Sequence, residues 1–326
     1  MTAAKAILDD YDYMRPIETI YFDVDRCIYC GCKNGLDKEH IVPYWMMGGY
    51  VIRNASCKVC ATITSRFENE LSNTSFAVLR RRMRFQSRSS KKERKNNAPP
   101  PLFELIVNEA GDESVKFVQA HQLPAVVVSL QYPPAGILEG RAPLPALRPR
   151  DLPVRITFMN ITGMVPKRKE ILYGKFKIPF NPTSYMRLAA KIAHGFFSVA
   201  KEFSDFKPLL NGAILTGHYV SYFVGMPVER PDVDKSGHMV TLSVRTIPPD
   251  SYYEYAVATI NLFCEFGGPC FEVVTGRRRI EGLGGDSSSE KYLPEIYGSE
   301  GKFESCIILS TASASAPVAI NQGTSA

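Results

Sequence analysis

Residues 27–60 of the chain read CIYCGCKNGLDKEHIVPYWMMGGYVIRNASCKVC. Two C-x2-C pairs, Cys27 with Cys30 and Cys57 with Cys60, bracket this stretch. Each pair sets two thiolates on one tight turn, and together they offer the four soft ligands that tetrahedral Zn2+ prefers. A site closed by four thiolates leaves no open position, so the ion expected here is structural. In a unit of about 60 residues, where apolar burial alone is marginal, such a staple can decide whether the unit folds.

Composition supports this reading. The 326 residues are 45% apolar and 22% charged, values that favour a folded globular protein over a disordered one. Eight cysteines are too few for a disulfide scaffold in a chain this long. Cys32, Cys264, Cys270 and Cys306 read most simply as buried or incidental thiols. The amino-terminal sequence resembles neither a signal peptide nor an anchor, and no apolar run reaches the ~18 residues of a membrane span. A soluble cytoplasmic protein with no membrane partner is the expectation.

Between the cysteine pairs stand Glu39-His40-Ile41-Val42-Pro43, then Gly48-Gly49, then Asn54. With these residues in this order, the sequence resembles the HNH endonuclease family, whose ββα-metal motif is often carried inside a zinc-stapled frame. The resemblance covers about Cys27 to Glu70. It implies a metal-dependent endonuclease that hydrolyses DNA phosphodiester bonds, with RNA not excluded. The resemblance also implies a possible role in restriction or phage defence. His40 would be the general base, taking a proton from the attacking water. Glu39 and Asn54 would hold a catalytic Mg2+ or Mn2+, alongside the structural Zn2+ on Cys27, Cys30, Cys57 and Cys60.

The chain departs from the family at Ala61, where Asn or His usually follows the last cysteine. Either a third metal contact comes from Thr62, Thr64, Glu68 or Asn69, or the site is weakened. The competing class is a non-catalytic zinc module with a degenerate HNH site that binds nucleic acid or a protein partner.

The formal charge of +6 is unevenly placed. Arg80, Arg81, Arg82, Arg84, Arg88, Lys91, Lys92, Arg94 and Lys95 face only Glu93, a local excess of +8 in a chain whose remainder sums to about −2. Arg80, Arg81, Arg82, Arg84, Arg88, Lys91 and Lys92 are the candidate DNA-binding residues, through contacts to the phosphate backbone. A solvated basic hinge is the plainer alternative.

The expected organisation is α+β: a zinc-bound ββα-metal HNH module over 1–78, a basic linker over 79–100, a larger α+β domain with a mainly antiparallel sheet over 101–281, and a loose tail over 282–326. Residues 65–84 read as helical. Strands are expected in 103–111, 113–134, 154–164, 171–180, 213–226, 238–247, 252–268 and 270–279, with a short one at 306–309. Asn181-Pro182-Thr183-Ser184 predicts a helix start, followed by apolar positions at helical spacing from Leu188 to Phe203. Arg187, Lys191 and His194 on that helix read as a basic stripe or, more simply, as a solvated face. The sequence leaves a homodimer open.

Overall fold

The computed structural model describes residues 19–82, 102–107, 113–118, 125–143, 154–159, 181–230, 238–246, 252–264, 268–280 and 306–310. The chain is α+β with mainly antiparallel pairing.

In the amino-terminal part, β1 (Ile20–Asp23), β2 (Leu36–His40) and β3 (Tyr50–Cys57) form a sheet in the order β1-β3-β2. β1 runs parallel to β3 and β2 antiparallel to it. Between β2 and β3 the chain folds into a 3-10 turn at Tyr44–Met46. Gly48 is required there, because a Cβ at this position would lie 2.0 Å from the Val42 carbonyl oxygen. Helix α1 (Lys58–Asn73) follows β3 directly, with Cys57 as its N-cap residue, and buries Cys60, Thr64, Phe67 and Leu71 along one stripe. The helical stretch expected from Ser65 therefore begins seven residues earlier, with the second cysteine pair at its N-terminus. It breaks at Thr74 and resumes as α2 (Ala77–Arg82).

The hairpins β4 (Leu102–Val107) with β5 (Glu113–Val118), and β6 (Ala125–Leu130) with β7 (Val154–Met159), are antiparallel. The strand expected over 171–180 lies outside the described residues. Helix α3 (Pro182–Val199) starts where the sequence predicts: the Asn181 side chain accepts from Ser184 N–H at 3.2 Å, and Pro182 occupies the first turn.

Residues 213–226, expected as a strand, instead form two short helices, α4 (Asn211–Thr216) and α5 (Val220–Phe223), before the two-residue strand β9 (Val224–Gly225). Gly217, at φ +80°, ends α4 and breaks the extended pattern that alternation alone suggested.

The main sheet has the order β13-β10-β11-β12-β8, built from β8 (Lys207–Pro208), β10 (Met239–Thr246), β11 (Tyr253–Asn261), β12 (Cys270–Arg279) and β13 (Cys306–Ser310), with β9 also on β12. The short strand expected near residue 306 is β13, which closes one edge against β10. The rest of the tail lies outside the described residues.

Helix α3 is buried almost all round. One core cluster runs from Cys27, Ile41 and Ile52 through Leu188, Ile192 and Phe196 to Ile260 and Phe271, so both halves of the chain contribute to it. Burying each large apolar side chain of α3 contributes about 1.5–3 kcal/mol. At the start of α3, Glu70 of α1 accepts from Asn181 Nδ2 at 2.9 Å and from Ser184 Oγ at 2.6 Å, tying the two helices together. No helix among the described residues is long and apolar enough to cross a membrane.

Candidate functional site

The four cysteines of the two pairs converge. Cys27 and Cys30 lie on a turn closed by Gly31 N–H donating to Cys27 O at 2.8 Å, with Gly31 at φ +75°. Ile28 N–H donates to Ala55 O at 2.8 Å and holds that turn against β3. Cys57 ends β3 and Cys60 sits one turn into α1. All four Sγ atoms lie within 4.8 Å of one another, and Cys30 Sγ is 3.7 Å from Cys57 Sγ. A tetrahedron with Zn–S bonds of about 2.3 Å has S···S edges near ~3.8 Å. The donor set and its spacing therefore fit a structural metal such as zinc. The Cys60 backbone N–H holds the Cys57 thiol below its ordinary pKa. Of the other cysteines, Cys264 and Cys270 are buried and Cys32 is exposed.

Alternation along β2 sends Glu39 and His40 to opposite faces. His40 is half-buried, with its ring edge-on to Tyr44 at 5.6 Å. Glu39 is turned inward and is 7% exposed. There it meets Lys191 of α3, whose Nζ lies 2.8 Å from Glu39 Oε1 and 3.1 Å from Glu68 Oε1 of α1. The same ammonium donates to the backbone carbonyls of His40 and Ile41 at the end of β2. Burial alone would push the Lys191 pKa down, but Glu39 and Glu68 outweigh it and hold the ammonium above its ordinary range.

The solvated basic stripe expected on α3 is therefore a misreading. Lys191 and His194 are fully buried, and Arg187 donates to the carbonyls of Ile214 and Leu215 at the end of α4 while lying over the Phe67 ring. His194 Nε2 donates to Ile28 O at 2.7 Å, on the first cysteine turn. Burial lowers its pKa to about 4, so the ring is neutral. Tyr29 stacks on His194, with ring centroids 5.6 Å apart. Burial, and after it the charges of Glu39 and Glu68, raise the Tyr29 pKa.

Asn54 sits at φ 54° on β3, where the register with β2 slips between Asp37 and Glu39, and it is exposed while Glu39 is buried. Ala61 lies in the first turn of α1. Among the candidates for a third contact, Thr62 and Thr64 turn their hydroxyls to the Lys58 and Ala61 carbonyls, and Asn69 is exposed. Glu68 alone shares a partner with Glu39. The functional residue that sequence reasoning misplaced is thus Lys191. Its signal was present, since a lone lysine inside the apolar run LAAKIAHGFF marks a buried helix more than a wet face.

Of the basic run, Arg80 points inward: its Nη1 donates to Ser72 O and Ser72 Oγ at 3.0 Å each, and its guanidinium lies 5.7 Å from the Trp45 ring centroid. Arg81 and Arg82 lie on α2. Arg84, Arg88, Lys91 and Lys92 lie outside the described residues. No known family model, curated protein or solved structure matches this chain.

Proposed function

We propose that residues 19–82 form a zinc-stapled module of the HNH type that binds DNA, and that a lysine side chain has taken the place of its catalytic divalent ion. The order β2, β3, α1 with cysteines at both ends, and the sequence Glu39-His40 followed by Asn54, support the HNH-type reading. With Arg80 turned inward, the basic run from Arg81 to Lys95 is the part of the sequence that would supply the charge for phosphate contacts.

One observation carries the non-hydrolytic part: the ammonium of Lys191 sits on the carboxylate that would hold the metal. A Mg2+ ion arriving at Glu39 would have to displace a cation that is itself buried and hydrogen-bonded, and Ala61 contributes no ligand to compensate. Zn2+ on Cys27, Cys30, Cys57 and Cys60 then serves folding alone.

A metal-dependent endonuclease is the second reading, favoured by the position of His40. At the end of β2, half-buried and on the face opposite Glu39, its ring could take the proton of an attacking water. Mg2+ or Mn2+ would then need Glu39 released from Lys191, with Asn54 as a further ligand.

Supercoiled plasmid incubated with the purified full chain separates the two. The proposal expects a salt-sensitive mobility shift without nicking in Mg2+ or Mn2+. Nicking that disappears in EDTA and in His40→Ala would overturn it in favour of the endonuclease.

A further inference from the structure

The four thiols of the metal cluster do not meet solvent equally. Cys27, Cys57 and Cys60 are buried, at 1%, 7% and 3% exposure, whereas Cys30 is exposed. Its Sγ lies 3.7 Å from that of Cys57, the N-cap residue of α1. A reagent in solution therefore reaches Cys30 first, from the side away from buried Cys57. The other exposed thiol of this turn, Cys32, is folded back on its own loop: its Sγ accepts from Asn34 N–H at 3.4 Å and donates to Asn34 O at 3.6 Å. Cys264 and Cys270 are buried.

We propose that Cys30 is a site of oxidation by hydroperoxides such as hydrogen peroxide, and that Cys57 is its resolving partner, so that one peroxide opens the cysteine cluster. The Cys30 thiolate attacks the peroxide: an S–O bond forms, the O–O bond breaks and hydroxide leaves, giving a sulfenic acid. The added oxygen lies on the solvent side, opposite Cys57. The Cys57 thiolate then attacks Cys30 Sγ in line with that oxygen: an S–S bond forms, the S–O bond breaks and a second hydroxide leaves. Two thiolates have lost two electrons, and one peroxide has gained them. The sulfurs have to close only from 3.7 Å to about 2.05 Å. Cys27 and Cys60 then remain, two ligands where a structural Zn2+ takes four. Because Cys27, Cys57 and Cys60 belong to the core shared with α3 and the main sheet, opening the cluster weakens the whole chain. The inference rests on the four-cysteine zinc site and is independent of DNA binding.

The test treats the zinc-loaded full chain, as wild type and as Cys32→Ser, with one equivalent of hydrogen peroxide. Released zinc is read with a chromogenic chelator, disulfides are mapped by mass spectrometry after alkylation in denaturant, and melting is followed in parallel. Wild type should release one zinc per chain, carry a Cys30–Cys57 disulfide with Cys27 and Cys60 still alkylated, and melt at a lower temperature. Dithiothreitol with added Zn2+ should restore both the metal and the melting temperature. Cys32→Ser should behave as wild type does. Zinc retained while the peroxide is consumed overturns the proposal, as does release with the disulfide mapped to Cys30–Cys32 or to any other pair. Release abolished in Cys32→Ser would also overturn it, since Cys32 would then be the resolving thiol. A chain that takes up no zinc before peroxide is added would sink the four-cysteine site itself, and this inference with it.

Discussion

The ammonium of Lys191 and the carboxylate of Glu39 meet at 2.8 Å inside the protein, joining a helix of the carboxy-terminal half to the strand that ends in His40. Taking such charges out of water costs several kcal/mol per ion, recovered only where pairing and hydrogen bonds are complete. Here the same ammonium also reaches Glu68 and the carbonyls of His40 and Ile41. The arrangement fixes the backbone at the end of β2, and with it the base of the His40 side chain.

Lys191→Met should destabilise the protein by about 3–5 kcal/mol in urea unfolding at pH 7, because it takes the ammonium away from the buried carboxylate of Glu39 and from the part-buried one of Glu68. Adding Glu39→Gln and Glu68→Gln to that variant should recover much of the loss. A cost below about 1 kcal/mol for Lys191→Met would be that of an exposed pair and would contradict the buried cluster.

Metal analysis should return one zinc per chain, and Cys57→Ser combined with Cys60→Ser should abolish it. The cysteine unit shares its core with α3 and the main sheet, so stripping the metal should lower the melting temperature of the whole protein. Full zinc content in the double serine variant would refute the four-cysteine site.

His194 and His238 are both buried, and burial lowers each pKa to about 4 from 6.5. The unfolded chain therefore binds these two protons more readily than the folded one. Stability should fall as the pH drops from about 6.5 towards 4, by up to about 1.4 kcal/mol per pH unit for each ring. Urea unfolding at stepped pH measures the slope, and His194→Gln should flatten it. An unchanged slope in that variant would show that His194 carries its proton in the folded state too.

Two glycines should respond in opposite directions. A Cβ at Gly195, within α3, would meet Ile41 at 3.5 Å, ordinary contact, so Gly195→Ala should be neutral or stabilise by up to about 1 kcal/mol. A Cβ at Gly48 would collide with the Val42 carbonyl, so Gly48→Ala should cost about 1–3 kcal/mol or more. Melting temperatures of the two variants decide the matter, and equal effects would contradict the geometry.

What the sequence discloses about this protein is local. The cysteine pairs, the Asn181 cap and the strands from Met239 to Arg279 follow from spacing and alternation, which are properties of neighbouring residues. The helices at Asn211–Thr216 and Val220–Phe223 were hidden because their apolar residues pack at short intervals that also fit a strand. Lys191 was hidden for another reason. Its charge is acceptable inside only because Glu39 and Glu68, far away in the chain, are brought to it by folding. The same distance hid the fate of Glu39, whose place beside His40 suggested metal binding while its partner lay in the other half of the chain.

The most direct measurement is nuclear magnetic resonance of the zinc-loaded protein labelled with 15N-lysine. A buried ammonium hydrogen-bonded to Glu39 should give an Nζ–H correlation that survives at neutral pH and shifts in Glu39→Gln. If every lysine ammonium exchanges rapidly with water, and Glu39→Gln moves none of them, Lys191 does not occupy the Glu39 pocket and the metal-dependent endonuclease becomes the better account.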